Sequence, residues 1–117
     1  MSKHKQTGIK GEQIAVNFLL NTGYTILHTN WRHGHKEIDI IAKKDNTLAI
    51  IEVKTRSNFD FGFPEEAVNL KKQTFLREAG QAYVDDNPGY EEVRFDIISI
   101  LLTKGEVKEI LHLEAAF

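Results

Sequence analysis

Two acids, Asp39 and Glu52, stand on either side of the tetrad Lys44-Asp45-Asn46-Thr47, and Lys54 follows Glu52 by two residues. The tetrad has hairpin-turn chemistry. A two-residue loop at Asp45-Asn46 pairs Lys44 with Thr47, so facing positions carry numbers that add to 91. This register predicts Asp39 directly opposite Glu52, and Glu37 opposite Lys54. Side chains alternate across a strand, so Glu37, Asp39, Ile41, Ile50, Glu52 and Lys54 are expected on one face. Ile38, Ile40, Ala42, Ala49, Ile51 and Val53 are expected on the other. Carboxylates directly opposite have Cβ atoms about 4.5–5.5 Å apart and repel, and the apolar flanks worsen the repulsion by desolvation. A hard divalent cation relieves it economically: magnesium takes one or two carboxylates plus water and substrate phosphate. Lys54 on the same face can orient a water, lower its pKa or stabilise developing phosphoryl charge. The set suits metal-assisted hydrolysis of a phosphodiester. The structural alternative is a Lys54–Glu37 ion pair, with Asp39 and Glu52 at exposed strand ends.

The positioning elements are legible in the periodicity. Thr7 to Asn21 reads as a helix, with Ile14, Ala15, Phe18 and Leu19 at three- and four-residue spacing, Thr7 as N-cap and Gly23 as stop. Tyr24 to Asn30 reads as a strand, followed by a basic loop over Trp31–Lys36. Glu37–Ala42 and Leu48–Lys54 form the hairpin strands. A loop holding Phe59, Phe61 and Phe63 follows. Pro64-Glu65-Glu66 suits a helix start, with the pattern running to about Asp86 and room for a break near Asn69. Val93–Leu102 is almost continuously apolar, as in a buried strand, and Lys104-Gly105 turns into a last strand, Val107–Leu113. The order is α-β-β-β-α-β-β. The helix between strands three and four demands a parallel crossover, so the fold class is α/β, a mixed β-sheet flanked by helices.

With 117 residues the chain is one domain with one ordinary core. No apolar run approaches the roughly 18 residues of a membrane span, and no export signal is read, so the expected home is cytoplasmic. The absence of cysteine excludes disulfides, thiolate catalysis and Cys-based zinc sites. Net charge is −2, but residues 1–56 carry nine Lys/Arg against five Asp/Glu, whereas the remainder carries six against twelve. The basic front half hints at an anionic partner.

The pattern Asp39 … Glu52-Val53-Lys54 resembles the signature of the PD-(D/E)XK nuclease superfamily. More narrowly, the chain resembles the YraN-like family of small bacterial proteins. The matching segments are Gly8–Ala15, Glu37–Ile41, Glu52–Arg56, Phe61–Val68, Lys72-Gln73 and Arg94-Phe95-Asp96. It departs at Lys36, where that family usually has a glycine. The resemblance implies a restriction-endonuclease-like fold. It extends to archaeal Holliday-junction resolvases, which carry an acid on the first helix, where Glu12 stands here. By that resemblance Glu12, Asp39 and Glu52 hold Mg2+ or Mn2+, the Val53 carbonyl is a further ligand, and Lys54 serves the attacking water. The expected activity is endonucleolytic cleavage of nucleic acid, DNA of branched or repair type, by a homodimer. The alternatives are a nucleic-acid-binding module of the same fold with little or no cleavage, and an interaction domain whose acids are surface residues.

Lys10, Arg32, Lys36, Arg56 and Lys72 are candidate phosphate contacts, which position nucleic acid without reading its sequence; Lys71 is a weaker one. Trp31 and the phenylalanines of 59–63 have the chemistry for stacking on bases and equally for closing a core edge. His33-Gly34-His35 lacks a third ligand. Thr55 and Ser57 have no His and Asp partners for nucleophilic serine chemistry, and Gly8–Gly11 lacks the Lys-Ser/Thr ending of a phosphate loop.

Overall fold

The computed structural model describes the backbone of residues 3–57 and 68–117, with side chains from Lys10 onward within those ranges. The elements are α1 (Lys3–Asn21), β1 (Thr25–His33), β2 (Lys36–Lys44), β3 (Thr47–Arg56), α2 (Leu70–Asp86), β4 (Glu92–Thr103) and β5 (Glu106–Leu113). The five strands form one sheet in chain order. β3 and β4 run parallel across the α2 crossover; every other neighbour pair is antiparallel. This is the expected mixed sheet and element order. Among the described residues no helix is long and apolar enough to cross a membrane.

Element ends follow local chemistry. Helix α1 begins four residues before Thr7, so Thr7 is interior and not the N-cap. Lys3, Lys5 and Gln6 favour helix by intrinsic propensity. It stops as predicted at Gly23, whose φ of 94° lets Tyr24 N–H reach Leu19 O at 2.9 Å and Gly23 N–H reach Leu20 O at 3.3 Å, closing the last turn. The expected loop over Trp31–Lys36 shrinks to Gly34-His35. Gly34 takes φ 63° and joins the strands in a tight turn, while half-buried Trp31 packs edge-on against Tyr83 and holds β1 in the sheet. The helix start at Pro64 and the phenylalanines at 59, 61 and 63 lie outside the described residues. The described helix begins at the predicted break: Asn69 is its N-cap and accepts the Lys72 N–H at 2.9 Å.

The sheet is covered on both faces. Ala15 and Leu19 of α1 pack on Ile40, Ala42, Ala49, Ile51, Val53, Ile98 and Ile100. Leu76, Ala79 and Tyr83 of α2 pack on Ile41, Leu48, Ile50 and Ile97. Each such buried aliphatic side chain stabilises the fold by roughly 1.5–3 kcal/mol. Ile38 corrects the expected alternation: it joins the α2-side cluster with Ile41 instead of sharing a face with Ile40. The strict period of two therefore breaks at Asp39.

One buried charge cluster ties the back of the sheet together. Asp96 on β4 is fully buried and accepts from Arg94 Nε at 2.9 Å, His112 Nε2 at 2.8 Å and the Ala115 N–H at 2.9 Å. Arg94 also donates to the Tyr24 hydroxyl at 2.6 Å. Burial alone would raise the Asp96 pKa, but the hydrogen bonds from His112 and Arg94 outweigh it and hold it below its ordinary value.

Candidate active site

The β2–β3 hairpin has the predicted register, from Lys44↔Thr47 through Ile40↔Ile51. The ladder ends there, one pair short of Asp39 and Glu52. In its place the Asp39 carboxylate accepts the Val53 N–H at 2.8 Å. The two strands fork at this point, and the acids sit at its mouth.

Glu52 is 5% exposed, which disposes of the alternative in which it is a surface acid. Its Oε1 lies 3.6 Å from Lys54 Nζ and 3.8 Å from Lys72 Nζ. Its Oε2 is buried and has no hydrogen-bond partner among the described residues. Burial and then the Asp39 charge push its pKa up to about 7, against the pull of Lys72 and Lys54. Asp39 is also raised, chiefly by burial, with the Val53 N–H, Lys72 and Lys54 opposing. Lys54 thus pairs with Glu52, and Glu37 instead meets Arg32 at 3.7 Å.

Glu12 stands within electrostatic range of Asp39, on the helix that Gly11 brings against β3. Any Cβ at position 11 would collide with the Thr55 hydroxyl, so glycine lets α1 lie directly against β3 beside Lys54. Burial, followed by the Asp39 charge, raises the Glu12 pKa, and a hydrogen bond from the Asn30 side chain works against the rise. Among the described residues no group of three or more His, Asp or Glu side chains is gathered closely enough to hold a metal ion. The structure therefore brings Asp39 and Glu52 together, with Lys54 and Lys72, and leaves Glu12 within electrostatic range of Asp39. A hard, oxygen-only donor pair with one orphaned buried carboxylate oxygen fits Mg2+ or Mn2+, which need only one or two carboxylates and complete their shell with water.

The remaining basic residues are more scattered. Lys10 donates to Gly105 O at 2.6 Å beside the β4–β5 turn. Arg32 is exposed near the end of β1. Lys36 pairs with Glu78 at 3.0 Å and lies 5.7 Å from the Phe75 ring centre. Arg56 is half-buried at the end of β3. Lys72, a candidate phosphate contact, stands 3.8 Å from Glu52 Oε1. Sequence reasoning missed Asn30, whose only signal was its type, and the role of Gly11, signalled by a glycine inside a helical pattern.

The family model described as "Uncharacterised protein family UPF0102" matches residues 11–100, a span running from the helix glycine through both site strands to β4. The chain belongs to this family. It is 47% identical over 117 residues to UPF0102 protein FP2501 of Flavobacterium psychrophilum, covering 100% of this chain and 98% of that one. It is 46% identical over 117 residues to a UPF0102 protein of Bacteroides thetaiotaomicron, at 100% and 96% coverage. To a UPF0102 protein of Chloroherpeton thalassium it is 42% identical over 125 residues, at 100% and 97%. The similarity to these UPF0102 proteins thus extends along the whole chain.

Proposed function

We propose that this UPF0102 protein is a PD-(D/E)XK-type phosphodiesterase, a Mg2+- or Mn2+-dependent endonuclease acting on DNA of branched or repair type. The observation that carries the reading is the orphaned, buried Glu52 Oε2 beside Asp39 at the strand fork. A bound divalent ion supplies Lewis acidity toward a phosphoryl oxygen and an acidified water. Asp39 and Glu52 would hold it, with Glu12 as a third carboxylate. Asp39 is oriented by the Val53 N–H, which leaves its other oxygen available. Lys54 and Lys72 neutralise the Glu52 carboxylate in the metal-free protein. With substrate present, Lys54 orients the attacking water and stabilises charge on the phosphoryl oxygens. Lys10, Arg32, Lys36 and Arg56 are phosphate contacts in this reading.

The test is a cleavage panel of duplex, single-stranded, flap and four-way-junction DNA, with RNA counterparts, in Mg2+ or Mn2+. Metal-dependent cleavage of a DNA substrate that Glu52→Gln abolishes is expected. A second reading, a nucleic-acid-binding module, is favoured by the absence of a completed three-carboxylate cluster among the described residues. Binding with no cleavage of any substrate would put that reading first.

A further inference from the structure

Phe75 stands where a helix surface is ordinarily polar. The buried stripe of α2 is Leu76, Ala79, Gly80 and Tyr83; Phe75 lies beside it and is 40% exposed. Two ammonium groups attend its ring, Lys36 Nζ at 5.7 Å and Lys71 Nζ at 5.8 Å from the centre, both within the range of a cation–π contact. Lys36 is also the strand partner of the exposed His33. The His33 ring lies parallel to that of Trp31, with 4° between the planes and centres 6.1 Å apart. Trp31 packs on the α2 side of the sheet, and residues two apart share a strand face, so His33 faces the same way. The edge strand β1 and helix α2 thus present rings interleaved with lysines. One turn before Phe75, Lys72 brings its Nζ to 3.8 Å from Glu52 Oε1, so this surface runs up to the strand fork.

We infer that this surface is a track for an unpaired nucleic-acid strand and leads it to the fork. This rests on the nucleic-acid substrate proposed above and names its form. The lysines make the occupant anionic, and the rings between them make it one with flat apolar faces. Single strands meet both demands: bases stack on aromatic side chains whatever their sequence, and cations follow the backbone. Phe75 and His33 offer ring faces to bases, and Lys36, Lys71 and Lys72 take phosphates. A duplex keeps its base faces stacked inside and cannot use the rings, so the surface discriminates paired from unpaired strands. Glu78 pairs with Lys36 beside the Phe75 ring; a surface ion pair of this kind is weak and yields to a phosphate.

The test is fluorescence anisotropy on the full chain in EDTA, with labelled oligo(dT) either free or annealed to oligo(dA). Wild type should bind the free strand more tightly than the duplex. Phe75→Leu keeps an apolar side chain and removes the ring. It should lose about fivefold or more in affinity for the free strand, the least that one stacked base contributes, with duplex affinity and Tm unchanged. Phe75→Tyr keeps the ring and should bind like wild type. The inference is overturned if wild type binds the duplex as tightly as the free strand, or if Phe75→Leu binds the free strand like wild type. It is equally overturned if Phe75→Leu weakens both forms alike, which makes the ring structural, or if neither form binds, which leaves the surface to a protein partner. EDTA keeps the binding assay separate from cleavage. Metal-dependent cleavage without strand preference removes this inference alone, whereas Phe75-dependent binding without cleavage of any substrate removes the nuclease reading alone.

Discussion

Glu52 is a nearly buried carboxylate facing a second acid, with one oxygen unpartnered among the described residues. Its folded pKa of about 7 lies above the ordinary value of 4.5, so between those pH values the folded state binds more protons than the unfolded state. Stability must therefore fall as pH rises through that window, and the raised Asp39 and Glu12 act in the same direction. Asp96 has the opposite sign, but its lowered pKa matters only below about its ordinary 3.8. Metal-free protein should melt at a higher temperature near pH 5 than near pH 7.5, and saturating Mg2+ should remove the difference; a Tm rising across that range without metal would contradict the assignment. Glu52→Gln relieves the repulsion and should raise the metal-free Tm at pH 7.5, by roughly 4 °C for each 1 kcal/mol gained. Lys54→Ala should bind nucleic acid nearly as wild type but cleave about 10²–10⁴-fold more slowly in single turnover. Arg56→Ala should weaken binding and flatten its salt dependence. Loss of binding with an unchanged single-turnover rate in Lys54→Ala would make Lys54 a phosphate clamp instead.

At the scale of elements, the site depends on how closely α1 approaches β3. Gly11 packs on Thr55 with no space for a Cβ, so Gly11→Ala should push the helix, and Glu12 with it, off the strand. Overpacking of this kind costs about 1–3 kcal/mol, despite the better helix propensity of alanine. A lowered Tm together with weaker Mn2+ binding is expected; unchanged values of both would show that Thr55 simply rotates away. The hairpin register was legible because Asp45-Asn46 determines it and every pair from Lys44↔Thr47 to Ile40↔Ile51 obeys it. The fork beyond Ile40↔Ile51 was not legible, since it arises when the Asp39 side chain takes over a backbone hydrogen bond at Val53. The same break moves Ile38 to the other face. Strand β1 extended past its expected end because Trp31 finds Tyr83, a contact between residues far apart in sequence.

Across the whole molecule, the mixed sheet with one helix on each face followed from the periodicities and from the crossover that a helix between two strands imposes. The Arg94–Asp96–His112 cluster around the buried Asp96 did not, because it joins β4 to β5 through side chains that no local pattern pairs. Removing one member strands the others: Asp96→Asn should cost about 3–5 kcal/mol, measured by urea unfolding, with little effect on metal affinity since the cluster lies on another strand. The central assignment is the Asp39/Glu52 fork as a divalent-cation site. Calorimetric titration of Mn2+ into wild type, Asp39→Asn and Glu52→Gln tests it most directly. Saturable binding to the wild type, weakened at least tenfold in both folded variants, is the expected result; no binding to wild type, or equal affinity in all three, would contradict it.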